Sequence, residues 1–194
     1  MLSVGQRVKE AIDYMGTGQV VSALTPTCIA LDITAQRVAG AKRSGRKIFK
    51  DFIQKSMWLI TLIGFPGLMS SEVRVPFHHP EIPPNSTGTV GIDEIVYHVL
   101  RCGSVHSDEK NSKITWNKNI SLGIDHNTGN LVLHEQLVWG LLAAVIFTPE
   151  NKDEQIPDTY WISIWGFKNF VTEFWGRIDL AKRIAKEVTG ITIQ

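Results

Sequence analysis

Hydrophobic residues recur every three or four positions in three stretches near the start of the chain. Apolar residues at this spacing form one face of an α-helix, so the pattern predicts helices over 3–15, 18–38 and 45–62. The first of these begins with Ser3 and Gln6, which have the spacing of a capping box, in which each side chain bonds to the backbone of the other residue. We therefore expect the N-terminal third of the chain to be helical.

Prolines interrupt this pattern and indicate where regular helix ends. Pro26 lies inside the second predicted helix, where we expect a kink or two abutting helices, and Ser44 precedes the third helix as an N-cap. Residues 64–90 contain five prolines and no regular periodicity, which predicts a long loop, either a lid or an ordered segment wrapped over the core. Residues 91–104 return to helical spacing.

The C-terminal half combines strand and helix signals. Residues 120–125 and 130–134 flank an Asn-Thr-Gly sequence, which predicts a β-hairpin. The pattern also predicts an apolar helix over 136–147, a short strand over 160–165 and a final amphipathic helix over 167–188.

Together these elements predict a mainly α fold, a helical bundle of about five or six helices with a small β-hairpin appendage. We expect one domain over 1–194, with a proline-rich loop at 64–90 and the hairpin at about 114–134.

Composition narrows the class of protein. Hydrophobic residues make up 43% and charged residues 20%, which is typical of a globular protein, and the net charge of +1 gives no global excess for DNA or a membrane surface. The apolar runs are too short to span a bilayer, and the N-terminus lacks the apolar segment of a signal peptide. We therefore expect a cytoplasmic protein with no membrane or DNA partner. Cys28 and Cys102 lie in apolar helical patterns, where buried, reduced cysteines are expected.

One short motif suggests chemistry. Arg101 and His106 are separated by four residues at the end of the helix predicted over 91–104. Histidine titrates near neutral pH and can move protons, whereas arginine carries a permanent, forked positive charge that fits a phosphate. On an ideal helix Arg101 would point away from the apolar stripe, and His106 would return near its edge.

The sequence around this motif, IVYHVLRCGSVHSDE, resembles the motif-bearing helix of the HEPN superfamily, whose members carry an arginine and a histidine separated by four to six residues. The stretches ALTPTCIALDITAQRV and RKIFKDFIQKSMWLI resemble parts of a group of small uncharacterised bacterial proteins of similar layout. The resemblance implies a HEPN-like helical bundle that forms a homodimer, with two motifs facing one cleft. It also implies a metal-independent endoribonuclease of a toxin or phage-defence system, with RNA as its partner.

In the chemistry that this resemblance implies, Arg101 would hold the phosphate and His106 would move the proton, without a metal or a cofactor. The possible supporting residues would be His98, Ser104, Asp108 and Glu109.

Other interpretations of the same residues stay open. Cys102 stands where active HEPN proteins commonly carry an asparagine, which favours a catalytically inactive HEPN-like module that dimerises or binds a partner. In that case His106 is a packed, structural histidine. A third interpretation, a small-molecule binding domain, rests only on the proline-rich loop at 64–90. Whether the chain is an enzyme is therefore uncertain, and endoribonuclease is the candidate activity.

Basic residues and histidines are further candidates for binding. A local basic cluster predicts contacts with an RNA backbone, above all through Lys42, Arg43, Arg46 and Lys47, and it also includes Lys50 and Lys55. A solvated helix face explains the cluster equally well. The six histidines include no pair at helical spacing with a glutamate between them, and no cysteine pair accompanies them, so no metal site is predicted.

Overall fold

A computed structural model describes residues 3–83, 86–101, 113–164 and 167–193. Within these residues the chain forms seven α-helices and seven short strands, and the strands belong to three separate sheets. The fold is mixed α/β, so the prediction of a mainly α helical bundle of five or six helices with one hairpin appendage is wrong.

The bounds of the elements are as follows. The helices are α1 (Val4–Gly16), α2 (Val20–Val38), α3 (Arg46–Lys55), α4 (Met57–Gly64), α5 (Ile92–Ile95), α6 (Gln136–Ile146) and α7 (Ile178–Thr189). The strands are β1 (Arg74–Val75), β2 (Val90–Gly91), β3 (Ile114–Asn117), β4 (Leu122–Ile124), β5 (Leu131–His134), β6 (Trp161–Ile164) and β7 (Phe167–Phe170). A π-helix, Val96–Arg101, continues α5, and 3-10 turns cover Pro149–Asn151 and Val171–Glu173.

The first two helices form largely as the sequence predicts. Ser3 and Gln6 make the predicted capping box at the start of α1, with each side chain bonded to the other residue's backbone N–H. Helix α2 runs through Pro26 as one continuous helix rather than as two abutting ones. Pro26 is buried there, and α2 packs along α1 and α6. Tertiary packing on both sides therefore outweighs the local helix-breaking effect of the proline.

Helix α6 lies at the centre of the core. Ten of its eleven residues are buried, and it packs against α2, α4 and β6. Gly140 and Gly64 permit the close crossing of α6 and α4. A Cβ atom on Gly140 would lie 2.5 Å from the carbonyl oxygen of Ile60, and one on Gly64 would lie 2.9 Å from the Cα of Leu137. The backbones of these two helices therefore touch, with no space for a side chain between them.

The predicted hairpin is present but is not an appendage. Strands β4 and β5 pair antiparallel, as predicted, and β3 adds to the other edge of β5 in parallel, which gives the order β3-β5-β4. The central strand β5 is buried along its whole length, and Leu131 and Leu133 belong to the hydrophobic core. Helix α6 follows β5 after one residue, so this sheet is part of the main packing unit.

The final predicted helix is half the predicted length. Residues 167–170 form β7 and pair with β6, and the helix itself begins only at Ile178. Gly176 has a positive φ of +71°, and a Cβ there would lie 2.5 Å from Cβ of Lys152. This conformation suits glycine and ends any helical path between β7 and α7.

Two further predictions need correction. The helix predicted over 45–62 is divided at Ser56 into α3 and α4, and its N-cap is Gly45. The hydroxyl of Ser44 instead donates a hydrogen bond to Asp32 of α2. A bond to a neighbouring helix therefore replaces the predicted cap.

The proline-rich loop wraps over the core where the structure describes it. Val73, Val75, Phe77 and Ile82 are buried in the hydrophobic core, and β1, in the middle of the segment, pairs with β2 at its C-terminal end. These contacts support the predicted ordered wrap rather than a lid. No helix in the described ranges is long and apolar enough to cross a membrane.

Candidate functional site

The end of α5 carries the two described residues of greatest chemical interest. His98 and Arg101 both belong to the π-helix, Val96–Arg101, in which backbone bonds run from i to i+5. Such segments are rare and frequently occur at functional sites. Ile95, Val96 and Val99 of the same helix are buried, so its apolar side fixes it to the core.

Around this π-helix six side chains with ionisable or permanently charged groups form two groups, Arg101 with Asp32 and Glu94 with its three partners, and Arg101 and His98 both contact the ring of Tyr97. We define the polar cluster as Asp32 of α2, Arg46 and Lys50 of α3, and Glu94, His98 and Arg101 of α5 and its π-helical continuation.

Arg101 contacts the carboxylate of Asp32 and the rings of Phe49 and Tyr97. Its Nη2 lies 3.1 Å from Oδ2 of Asp32, and both side chains are about one quarter exposed, at 29% and 26%. Its guanidinium carbon lies 5.6 Å from the ring centre of Phe49 and 5.2 Å from that of Tyr97, within the range of cation–π contacts. The guanidinium is therefore oriented by the protein rather than extended into solvent.

The wider turn of the π-helix explains the direction of Arg101. On an ideal α-helix this residue points away from the apolar stripe. A π-helix has more residues in each turn, which rotates the positions that follow. Arg101 consequently faces α2 and α3, where it contacts Asp32 and Phe49.

Glu94 is the centre of the second half of the cluster. Its carboxylate accepts hydrogen bonds from Arg46, at 3.1 Å, and from Nζ of Lys50, which also lies 3.4 Å from Oδ2 of Asp93. Burial raises the pKa of Glu94, but Lys50 and Arg46 more than offset this effect and hold that pKa below its usual value. Glu94 is therefore ionised at neutral pH.

His98 is the titratable histidine of the cluster. Its Nε2 is buried and lies 3.3 Å from Oε2 of Glu94, but the two atoms lack hydrogen-bond geometry. Burial lowers the pKa of His98, and the charges of Arg46 and Lys50 lower it further, against the opposing effect of Glu94. The imidazole is therefore neutral at neutral pH. Its ring packs edge-on against Tyr97, with the two ring centres 4.9 Å apart.

The cluster is rich in phosphate-binding groups. Arg46, Lys50 and Arg101 supply three positive charges, and they pair with Asp32 and Glu94 of the cluster and with the adjacent Asp93. Arg46 is the most exposed of these cations, with 46% of its side chain accessible. Ion pairs at such an exposed position contribute little, so an incoming anion can compete for the cation.

The structure brings together some of the predicted site residues. Arg101, His98 and Arg46 belong to the polar cluster. Lys47 instead points outward on α3 and pairs with Asp51 at 2.6 Å. Lys42 and Arg43 are exposed in the connection between α2 and α3. The remaining predicted residues lie outside the described part of the chain; they are Cys102, Ser104, His106, Asp108 and Glu109.

Two members of the cluster, Asp32 and Glu94, were not predicted as site residues. Asp32 is the only acidic residue in the apolar sequence of α2, which is a signal of a partnered carboxylate. Glu94 and His98 are four positions apart, a spacing that places side chains on one helix face. Lys50, by contrast, was part of the predicted basic cluster and lies one helical turn after Arg46. Their pairing across helices depends on the tertiary fold.

Metal binding has no support from the described ranges, where no group of three or more histidine, cysteine or acidic side chains is placed to hold an ion.

Comparison with known proteins adds a family but no activity. A family model described as Rv1289 matches residues 3–194 of the chain. The uncharacterised proteins Rv1289 and MT1327 of Mycobacterium tuberculosis and Mb1320 of Mycobacterium bovis are each 25% identical to it over 188 residues. This alignment covers 94% of this chain and 88% of each relative. No solved structure matches it.

These matches confirm the predicted likeness to a group of uncharacterised bacterial proteins, whereas the HEPN likeness stays a prediction. Because the family model spans nearly every residue, the chain belongs to the Rv1289 family.

Proposed function

We propose that this protein is a metal-independent endoribonuclease that acts at the polar cluster. In this proposal Arg101 holds the scissile phosphate and His106 moves the proton, as in the HEPN-type motif that the sequence resembles. The observation that carries the proposal is the position of His98 and Arg101 on one π-helical segment, which follows Glu94 and its partners Arg46 and Lys50 of α3.

The reaction needs only groups that side chains can supply. The ribose 2′-OH loses its proton to a histidine, and its oxygen attacks the phosphorus. The bond from phosphorus to the 5′ oxygen breaks, and that oxygen takes up a proton. The products are a 2′,3′-cyclic phosphate and a 5′-hydroxyl. Arginine stabilises the added negative charge on the phosphate in the transition state.

The surroundings of Arg101 suit this role because they fix its orientation in advance. Asp32 bonds to one terminal nitrogen, and Phe49 and Tyr97 cover the guanidinium. A pre-oriented guanidinium loses less entropy when it binds a phosphate. His98 packs on the same Tyr97, and its buried Nε2 makes it a positioning residue rather than a catalytic one.

A homodimer is part of the proposal, because a proton donor is needed as well as a base. The HEPN-type arrangement supplies it by bringing a second motif, with its own histidine, to the same cleft. The basic residues Lys42, Arg43, Arg46 and Lys47 then contact the RNA backbone beyond the scissile phosphate.

The test is cleavage of mixed-sequence RNA in the presence of EDTA. We expect Arg101→Lys, which keeps the charge but loses the fork, to lower the rate by at least about 100-fold. His106→Ala should lower it by about 100-fold to 10,000-fold. The matched control is His126→Ala, since His126 is exposed in the turn between β4 and β5. Absence of cleavage by the unmodified protein, or equal rates in all variants, contradicts the proposal.

The contacts of Arg101 also favour a second function. A guanidinium paired with Asp32 and packed on two rings can serve the fold alone, as expected for an inactive module that dimerises. Both functions predict a dimer, so sedimentation velocity and the cleavage assay together distinguish them. A dimer that cleaves no RNA supports the inactive module, and a monomer that cleaves no RNA rejects both functions.

A further inference from the structure

His98 presents a buried nitrogen without a hydrogen-bond partner to the carboxylate of Glu94. Its side chain is 14% exposed, and its Nε2 atom is buried and forms no hydrogen bond. Such an atom costs free energy in the folded state, so its position calls for an explanation. Oε2 of Glu94 lies 3.3 Å away. Both ring nitrogens of a protonated histidine are donors, so protonation of His98 gives this carboxylate a charged donor.

The same carboxylate oxygen already accepts from Arg46. Nη2 of Arg46 lies 3.1 Å from Oε2 of Glu94 and 3.3 Å from Oε1, so one nitrogen makes both contacts. Nε2 of His98 and Oε2 of Glu94 lack hydrogen-bond geometry, so one group must turn before they bond. The imidazole is packed edge-on against Tyr97, which leaves the carboxylate as the group that turns. That rotation disrupts the contact of Oε2 with Arg46.

Solvent exposure decides which cation leaves the carboxylate. The side chain of Arg46 is 46% exposed, whereas those of Lys50 and His98 are 19% and 14% exposed. Water solvates an exposed cation that leaves its carboxylate, but a buried cation without its partner is an uncompensated charge. Arg46 is therefore the cation that leaves Glu94 when His98 becomes charged.

The charges around His98 lead to the same result. Burial lowers the pKa of His98 most, and Arg46 is the charge that lowers it most. Lys50 also lowers this pKa, whereas Glu94 and Glu81 of the proline-rich loop raise it. Repulsion between two like charges is mutual, so a charged His98 acts most strongly on Arg46.

We infer that protonation of His98 releases Arg46 from Glu94 and makes its guanidinium available to a phosphate of the RNA backbone. The site then binds a phosphodiester more tightly at mildly acidic pH than at neutral pH. Coupling between two binding events is reciprocal, so a bound phosphodiester also raises the affinity of His98 for its proton. This inference rests on the proposed function and specifies how binding at the polar cluster is regulated.

The test measures binding of a labelled single-stranded 2′-O-methyl RNA by fluorescence anisotropy between about pH 5 and pH 7.5, at constant ionic strength. This probe has no free 2′-OH and is not cleaved by the proposed reaction, and its phosphodiesters do not titrate in this range. We expect Kd to fall by at least about fivefold from pH 7.5 to pH 5. His98→Gln should remove this change. The matched control is His126→Ala, which removes an exposed histidine and should keep the change.

Two further variants separate this switch from a general gain of positive charge at low pH. Glu94→Gln removes the charge that holds Arg46, so at pH 7.5 it should bind the probe about as tightly as the unmodified protein does at pH 5. Arg46→Gln should bind weakly at both pH values. In the unmodified protein, the probe should also raise the pH at which the ring protons of His98 titrate in NMR spectra.

Several results would overturn the inference. They are a Kd that does not change with pH, no binding of the probe at any pH, and a pH dependence that persists in His98→Gln or Arg46→Gln. A Glu94→Gln protein with the Kd of the unmodified protein at pH 7.5 would overturn it as well.

Failure of this inference is distinguishable from failure of the proposed activity. Binding that depends on His98 and pH, in a protein that cleaves no RNA, leaves the inference standing and removes the endoribonuclease. Cleavage that depends on Arg101, with binding that is independent of His98, does the opposite.

Discussion

The pair formed by Asp32 and Arg101 gives a quantitative test of the polar cluster. Exposed ion pairs contribute about 0.2–1 kcal/mol, whereas removing one partner of a buried pair costs about 3–5 kcal/mol. With side chains 26% and 29% exposed, this pair lies between the two limits, and Asp32→Ala should cost about 1–2 kcal/mol. Arg101→Ala also removes the contacts with Phe49 and Tyr97, which adds about 1 kcal/mol.

The assay is a double-mutant cycle followed by urea unfolding. We expect a coupling energy of about 1 kcal/mol between Asp32 and Arg101, because the two charges share one contact. The matched control is the pair of Lys47 and Asp51 on α3, which is 86% and 44% exposed and should couple by less than about 0.5 kcal/mol. A coupling energy for Asp32 and Arg101 no larger than that of the control refutes the claim that the fold orients this guanidinium.

Three other predictions concern the framework around the site. Gly140→Ala places a Cβ 2.5 Å from the carbonyl oxygen of Ile60 and should lower the free energy of unfolding by about 1–3 kcal/mol. An unchanged Tm in calorimetry would contradict the close crossing of α4 and α6. Burial lowers the pKa of His98 in the folded state, whereas in the unfolded chain the pKa of this histidine has its ordinary value of 6.5. The unfolded state therefore binds the proton first as the pH falls below 6.5, and the free energy of unfolding decreases there. His98→Gln should flatten this dependence in denaturant titrations, and an identical pH profile speaks against a buried, neutral imidazole. The carboxylate of Glu154 accepts a hydrogen bond from the N–H of Gly5, with N and O 2.7 Å apart. Glu154→Gln should therefore increase the rate of amide hydrogen exchange in the first turn of α1. An unchanged exchange rate contradicts a stabilising role for this bond.

Elements with strong local signals were predictable from the sequence. The capping box of α1, the buried helix α6 and the antiparallel pair of β4 and β5 all follow from spacing over a few residues. In each case the local preference agrees with the tertiary environment, and such agreement is what makes a sequence pattern informative.

Elements that depend on distant partners were not predictable. Residues 167–170 fit a helical pattern, yet they form β7 because β6 offers a strand to pair with. The parallel pairing of β3 with β5 has no local signal. These two features account for much of the error in the predicted fold class, because pairing and burial override weak local propensity.

The candidate site shows the same division. The arginine and histidines were found from residue type and spacing, but Asp32 and Arg101 lie 69 positions apart, and no pattern in one sequence links them. The π-helical turn that directs Arg101 toward α2 is likewise a property of packing. Its backbone hydrogen bonds span five residues instead of four, although the sequence of this segment has an ordinary helical pattern.

The chemistry of the cleaved RNA ends tests the central claim most directly. Mass spectrometry of the products formed in EDTA should detect 2′,3′-cyclic phosphates paired with 5′-hydroxyls, and these products should disappear with Arg101→Lys. Intact RNA, or fragments that end in 5′-phosphates, would contradict a reaction in which the ribose hydroxyl is the nucleophile.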